Sequence, residues 1–288
     1  MAAGVRLVFE TDSPRVDLRF EYLERPRRAF MVDAYVGGVF VASGGAPDAG
    51  PCEISLFSGR SGRREVELHM PPYSKVRLDA LGIEANCEMF LPTRRSKRNI
   101  VFHGDSITHG AITTRAGLAY PTRVAQALDA DFINLGFGGS ARGEPGMARI
   151  IAGLAADAII LYYGINTFAI GKQDPAQFGE IYGEFIDIIR DAQPETPVVV
   201  ITPTWHVPER HSRNEVGATV EQYREVIRSA AAGRIVHGDG NLVLLEGCSV
   251  IGPGDETRLA DETHLNDEGF LALAASLVKI ISRAWRTV

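Results

Sequence analysis

Ser106 stands where an apolar run, Asn99-Ile100-Val101-Phe102-His103, meets the turn formers Gly104 and Asp105 ahead of Ile107 and Thr108, which can open a helix. A strand-to-helix junction of this kind gathers backbone N–H groups and favours developing negative charge, which suits a nucleophile. A serine hydroxyl is a weak nucleophile at neutral pH. It requires a base within hydrogen-bond reach and a third group that holds the base in the right tautomer. His264 and Asp261 lie three residues apart and can face the same way, the carboxylate near one ring nitrogen and the other nitrogen free for Ser106. The chemistry these three would perform is acyl transfer, which also needs donors aimed at the oxygen that becomes negative in the tetrahedral intermediate. The candidates are the backbone N–H of Ser106, the backbone N–H of Gly139 and the side-chain amide of Asn166, and one such donor is worth about 3 kcal/mol.

Each of these residues also has a plainer reading. Gly, Asp and Ser are common turn formers, and Ser106 or Asp261 could simply cap a helix. His264 could be a surface histidine, and Gly139 and Asn166 ordinary turn residues. His103 and His109 flank the nucleophile loop, too close in sequence to fold back as its base, and are expected to be structural or to touch substrate. Asp105 is expected to organise the loop by accepting backbone N–H bonds. Phe137, Phe168, Trp205 and His206 fall in loops at the same edge and are candidates for the acyl or alcohol pocket, with plain packing as the alternative. His69, His211 and His237 are too scattered for a metal site, and the chemistry calls for neither a metal nor another cofactor.

Positioning these residues requires two kinds of chain. From residue 4 to about 92 the apolar residues alternate, as in Val16-Asp17-Leu18-Arg19-Phe20-Glu21-Tyr22, with Gly37-Gly38, Ser58-Gly59 and Pro71-Pro72 between runs. Period-two spacing with turn punctuation predicts seven or eight short antiparallel strands, and hence an all-β sandwich over residues 1–92. Beyond Pro92, over residues 93–288, buried strands alternate with amphipathic helices, the pattern of a parallel sheet covered on both faces. Strands are expected at 99–103, 131–136, 157–163, 197–202 and 242–246. Helices are expected near 119–129, 145–155, 175–192, 214–232 and 267–285, with Pro121 in a first turn and Asn214 as a cap. In an open parallel sheet the chemistry collects at the carboxyl ends of the strands. Ser106, Gly138-Gly139, Asn166, Asp261 and His264 all map to that one edge.

Composition narrows the class. Of 288 residues, 45% are apolar and 23% charged, which fits a globular chain, and the net charge of −6 argues against a nucleic-acid partner. The basic run Arg94-Arg95-Ser96-Lys97-Arg98 reads as a solvated linker. Three cysteines without Cys-x-x-Cys spacing indicate neither a disulfide framework nor a zinc site, and each is expected to be a small buried hydrophobe. No apolar run is long enough to span a membrane. The first residues pass straight into an alternating segment with no signal-peptide pattern, so a cytoplasmic protein is expected.

Four ordered blocks, Gly104-Asp105-Ser106-Ile107-Thr108, Asn134-Leu135-Gly136-Phe137-Gly138-Gly139, Gly164-Ile165-Asn166 and Asp261-Glu262-Thr263-His264, resemble those of the SGNH (GDSL-type) hydrolases. The resemblance covers about residues 98 to 285. It implies a flavodoxin-like three-layer α/β/α fold and action on esters or other acyl compounds. It also implies Ser106 as nucleophile, Gly139 and Asn166 completing the oxyanion hole, His264 as base and Asp261 as its partner. Thr167 stands where the family often has Asp and Leu265 where Pro is common, and neither change removes a reacting group. The N-terminal half looks like the jelly-roll-like, carbohydrate-binding-module-like sandwich of one subgroup, which holds carbohydrate esterases and natural-product acyltransferases. The expected function is a serine esterase that removes a small acyl group, such as acetyl, from a carbohydrate or other small alcohol. The alternatives are transfer of an acyl group from a thioester donor to a hydroxyl, and, from another class, a glycan-binding protein with a silent second half.

Overall fold

The computed structural model describes residues 3–25, 30–57, 62–93, 98–210 and 212–287. The Ser58-Gly59 turn, residues 94–97 of the basic run, and His211 lie outside the described residues.

Among the described residues the alternating first part forms eight strands: β1 (Arg6–Thr11), β2 (Arg15–Tyr22), β3 (Val32–Val36), β4 (Val39–Gly44), β5 (Gly50–Phe57), β6 (Arg64–His69), β7 (Val76–Ile83) and β8 (Met89–Phe90). They make two sheets, ordered β4-β3-β6-β1-β8 and β5-β2-β7, in which the neighbouring strands run antiparallel. Alternation sets which face is buried: along β2, Val16, Leu18, Phe20 and Tyr22 point inward and Arg19 outward. These side chains meet Phe9, Val32, Ala34, Val66 and Leu68 of the other sheet in one core, the arrangement of a sandwich. Edge strand β4 departs from the expected one-sided burial, with Val39, Phe40 and Val41 all exposed.

The second part forms a parallel sheet of β9 (Asn99–Gly104), β10 (Asp131–Gly136), β11 (Ala158–Tyr162), β12 (Val198–Ile201) and β13 (Leu242–Leu245), ordered β10-β9-β11-β12-β13. Helices α1 (Ser106–His109), α2 (Tyr120–Ala127), α3 (Pro145–Ala152), α4 (Ile165–Ile170), α5 (Pro175–Ala192), α6 (Val220–Val236) and α7 (Asp267–Thr287) follow in chain order. Because both faces are covered, β11 is buried at every position, and two cores flank the sheet. One is built with α2 and α7, the other with α3, α5 and α6. This is the flavodoxin-like three-layer arrangement behind a β-sandwich.

The expected strands appear within about a residue or two of their places, and Pro121 sits in the first turn of α2. One helix start needs correction. Asn214 does not cap α6, which begins six residues later at Val220, where the Gln222 side chain accepts the Thr219 N–H. Asn214 instead accepts the Ala218 N–H at 2.9 Å and donates to the Phe168 carbonyl, closing a turn ahead of the helix. Asx side chains serve turns as readily as caps, and sequence alone does not separate the two. The cysteines also differ from expectation: all three are free, but only Cys52 is fully buried. Among the described residues no helix is long and apolar enough to cross a membrane.

Candidate active site

Register brings the reacting edge together. Gly104 pairs with Gly136 on one side and Tyr162 on the other, so β9, β10 and β11 end at one level and their loops share one crevice. The strand order reverses there, the position where open α/β sheets hold ligands. A cleft of about 840 Å³ opens at that edge, lined among others by Ser106, Phe137, Gly139, Asn166 and His264, with Tyr73 contributed from the β6–β7 connection of the sandwich.

Asp105 sets the loop that carries Ser106. Its Oδ1 accepts the Ile107 N–H at 2.9 Å and its carbonyl accepts the His109 N–H, so the chain turns directly from β9 into α1 and leaves Ser106 at the mouth. Ser106 Oγ lies 2.8 Å from His264 Nε2. On the other side of the ring, Nδ1 lies 2.9 and 3.1 Å from the two oxygens of Asp261. A carboxylate only accepts, so Nδ1 carries the proton and Nε2 presents its lone pair to the serine hydroxyl. Burial alone would raise the Asp261 pKa, but the His264 and Thr263 backbone N–H groups and the His264 ring together hold it below its ordinary value. The carboxylate therefore stays charged opposite the ring. The loop that carries the pair is pinned by fully buried Leu265, by the Ala260 N–H bond to the His264 carbonyl, and by an isolated bridge between Leu259 and Leu265.

The three candidate donor residues, Ser106, Gly139 and Asn166, line the same cleft. Phe137 C=O accepts the Ser140 N–H at 3.0 Å, closing a turn in which Gly139 takes φ +75°, a conformation that favours glycine at this position. The Ser106 and Gly139 N–H groups have no acceptor among the described residues. Asn166 projects from the first turn of α4 and uses one amide hydrogen on the Ser140 carbonyl at 2.7 Å, leaving the other for the cleft.

Of the expected pocket residues, Phe137 lines the cleft and is substantially exposed. Phe168, Trp205 and His206 do not. Phe168 and Trp205 are packed into the two cores of the α/β part, and His206 Nδ1 meets the Thr263 hydroxyl at 2.7 Å, steadying the loop of His264 from behind. They follow strand ends or lie near them, but their side chains turn into the protein rather than into the crevice. Sequence reasoning missed Tyr73, Ala111 and Ile112 as lining residues. Only the Pro71-Pro72 punctuation hinted that this connection is rigid. His103 is buried and stacked on Phe185, its Nδ1 bonded to the Leu135 carbonyl, and burial pulls its pKa down to about 4.

The profile of the GDSL-like Lipase/Acylhydrolase family matches residues 97–282. Among solved structures, the salicylyl-acyltransferase SsfX3 from a tetracycline biosynthetic pathway is 29% identical, with a TM-score of 0.85 over 96% of this chain and 81% of that one. A Bacteroides ovatus protein designated a GDSL-like lipase is 25% identical, with a TM-score of 0.83 over 99% of this chain and 85% of that one. A family two carbohydrate esterase from Clostridium thermocellum, solved in complex with cellohexaose, is 14% identical and shares the fold over 99% of this chain and 94% of its own, with a TM-score of 0.76. No curated protein matches the sequence. With nearly two hundred residues of the chain matched, from before β9 to within about five residues of the end of α7, this protein belongs to the GDSL-like lipase/acylhydrolase family.

Proposed function

We propose that the protein is a serine acyl-ester hydrolase that works through an acyl-enzyme on Ser106. The observation that carries this reading is the unbroken relay from Asp261 through His264 to Ser106, opening on a cleft that Gly139 and Asn166 also line. His264 Nε2 takes the Ser106 proton as Oγ attacks the acyl carbon. The Ser106 and Gly139 N–H groups and the Asn166 amide receive the oxyanion. His264 then gives its proton to the departing alkoxide, and the same steps with water release the acid.

The substrate class follows from the walls. Among the described residues no Lys, Arg, Asp or Glu lines the cleft, while Tyr73, Ala111, Ile112 and Phe137 do. An uncharged acyl group on a small or carbohydrate alcohol suits such a site, and its volume admits groups larger than acetyl. A second reading, transfer of the acyl group from a thioester to a hydroxyl, uses the same residues and is favoured by the likeness to the salicylyl-acyltransferase over nearly the whole chain. The two differ in whether water or an acceptor reaches the acyl-enzyme. Residues 1–92 form the accessory unit in this proposal, and 93–288 the catalytic one.

Intact-protein mass spectrometry after exposure to a fluorophosphonate tests the reading. A single adduct is expected on the wild type and none on Ser106→Ala, whose turnover of a short-chain aryl ester should fall by about 10³-fold or more. Full turnover by the variant would end the proposal. A panel of alcohols and sugars then separates the two reactions: free acid alone excludes transfer to those acceptors, and an acylated acceptor supports it.

A further inference from the structure

His109 takes no part in the relay, yet it occupies the junction between the sandwich and the oxyanion loop. Its Nε2 lies 2.8 Å from the Pro72 carbonyl. A carbonyl can only accept, so Nε2 bears the proton and Nδ1 is left as the lone-pair nitrogen. The Gly138 N–H donates to that Nδ1 at 3.3 Å. Tyr73 lies across the ring with centroids 4.0 Å apart and planes 32° apart, and its hydroxyl occupies the space that a side chain at position 138 would need. The ring is buried, and burial moves its pKa down, in keeping with a neutral imidazole. Gly138 is thus held through its N–H and through the close approach of Tyr73. It is the residue immediately before Gly139, which lines the cleft and whose N–H has no acceptor among the described residues, in the turn closed by Phe137 and Ser140.

We propose that His109 is a positioning residue for the oxyanion hole: as a neutral ring protonated on Nε2 and anchored to the sandwich through Pro72, it accepts the Gly138 N–H and so sets the direction of the Gly139 N–H. The Pro72–Tyr73 connection is then part of the catalytic support rather than only a wall of the cleft. This inference rests on the acyl-enzyme reading above.

Two substitutions separate the ring's two bonds. His109→Gln can reach Pro72 with its terminal amide but offers no acceptor at the Nδ1 position. His109→Asn places an amide oxygen near the Nδ1 position and gives up Pro72. Each variant loses one of the two bonds, so similar melting temperatures are expected. Against an aryl ester, His109→Gln should lower kcat by about 10- to 100-fold with KM within about twofold, since an oxyanion donor acts in the transition state. His109→Asn should recover most of that loss. Equal losses in the two variants, the reverse order, or an effect confined to KM would overturn the proposal. Nitrogen-15 NMR of the wild-type imidazole gives an arm independent of variant folding: a neutral ring protonated on Nε2 is expected, and a ring protonated on Nδ1, unable to accept from Gly138, would refute it. The two levels of failure are distinct. A wild type that takes no fluorophosphonate removes the acyl-enzyme reading, whereas a labelled wild type with variants of equal kcat removes only the role of His109.

Discussion

The two walls of the cleft are built by different means. On the Ser106 side, Asp105, Thr108 and His109 are buried, and the supports come from distant parts of the chain: Pro72 from the sandwich, Asn134 from β10, and the Gly104 carbonyl bonded to Phe137. On the His264 side, Asp261 is exposed, His264 is partly so, and the contacts that set their mutual geometry lie within three residues. Buried polar groups are costly to leave unmatched, whereas exposed ones fall back on water. The Ser106 wall should therefore join folding to activity, and the His264 wall should affect activity alone.

The largest effect that would test this difference is expected at Asn134. Its Nδ2 donates to the Thr108 carbonyl and its Oδ1 accepts the Gly136 N–H, each at 2.8 Å, tying β10 to α1. Asn134→Ala strands both backbone groups, at an expected cost of about 2 to 4 kcal/mol in stability. Urea unfolding should show that loss, and aryl-ester kcat should fall with it, because the segments leading to Ser106 and to Gly139 are joined at this side chain. Unchanged stability would break the comparison on its buried side.

Asp261→Asn comes next and should behave in the opposite way. The amide oxygen can keep the Thr263 and His264 N–H bonds at the Oδ1 position, so the loop should persist and the melting temperature stay within a degree or two. What is lost is a charged acceptor for Nδ1–H, and with it the tautomer that presents Nε2 to Ser106. A fall in kcat of about 10²-fold is expected, below the largest losses seen for buried triad carboxylates because this one is partly solvated. A loss of stability as large as that of the Asn134 variant would sink the contrast.

The same difference explains which parts were legible in the sequence. The relay was readable because its pieces are local: Gly-Asp-Ser at a strand end, and Asp261 three residues before His264 on one loop. The alternation of β2 and the continuous apolar runs of β9 and β11 likewise declared their sheets, since the period of two and its absence follow directly from burial on one face or both. Illegible were the contacts made across the fold. Nothing in Pro72-Tyr73 signals that it will pack against His109, 37 residues away. Phe168, Trp205 and His206 were placed at the right edge with their side chains turned the wrong way, because position along the chain fixes the edge and not the direction of a side chain. The opening of α6 was missed for a related reason: Asn214 has the chemistry of a cap but is used in a turn.

The smallest expected effect lies on the buried wall and concerns charge. Burial raises the Asp105 pKa to about 6, a shift only partly offset by the Ile107 N–H and the nearby His264 ring. Its Oδ2 has no hydrogen-bond partner among the described residues. A raised carboxyl pKa means that the folded state prefers the proton, so the associated stability is present below the unfolded pKa and is lost as pH rises through about 6. His103, two residues earlier on β9 and held to about 4 by burial, works in reverse: its contribution is present above the unfolded histidine pKa and is lost as pH falls through about 4. Each amounts to about 3 kcal/mol, and between pH 4 and 6 the two slopes oppose each other. Asp105→Asn keeps an acceptor for the Ile107 N–H and removes one slope. The variant should gain about 1 to 3 kcal/mol over the wild type at pH 8 and nothing at pH 4, where the wild-type carboxyl is already neutral. Its own stability should then fall more steeply than the wild type's between pH 6.5 and 4, as the histidine slope is left unopposed. Urea midpoints at three pH values decide it: a difference between the proteins that does not change with pH would mean that Asp105 is not held in its neutral form, and that the buried wall is less dry than its packing implies.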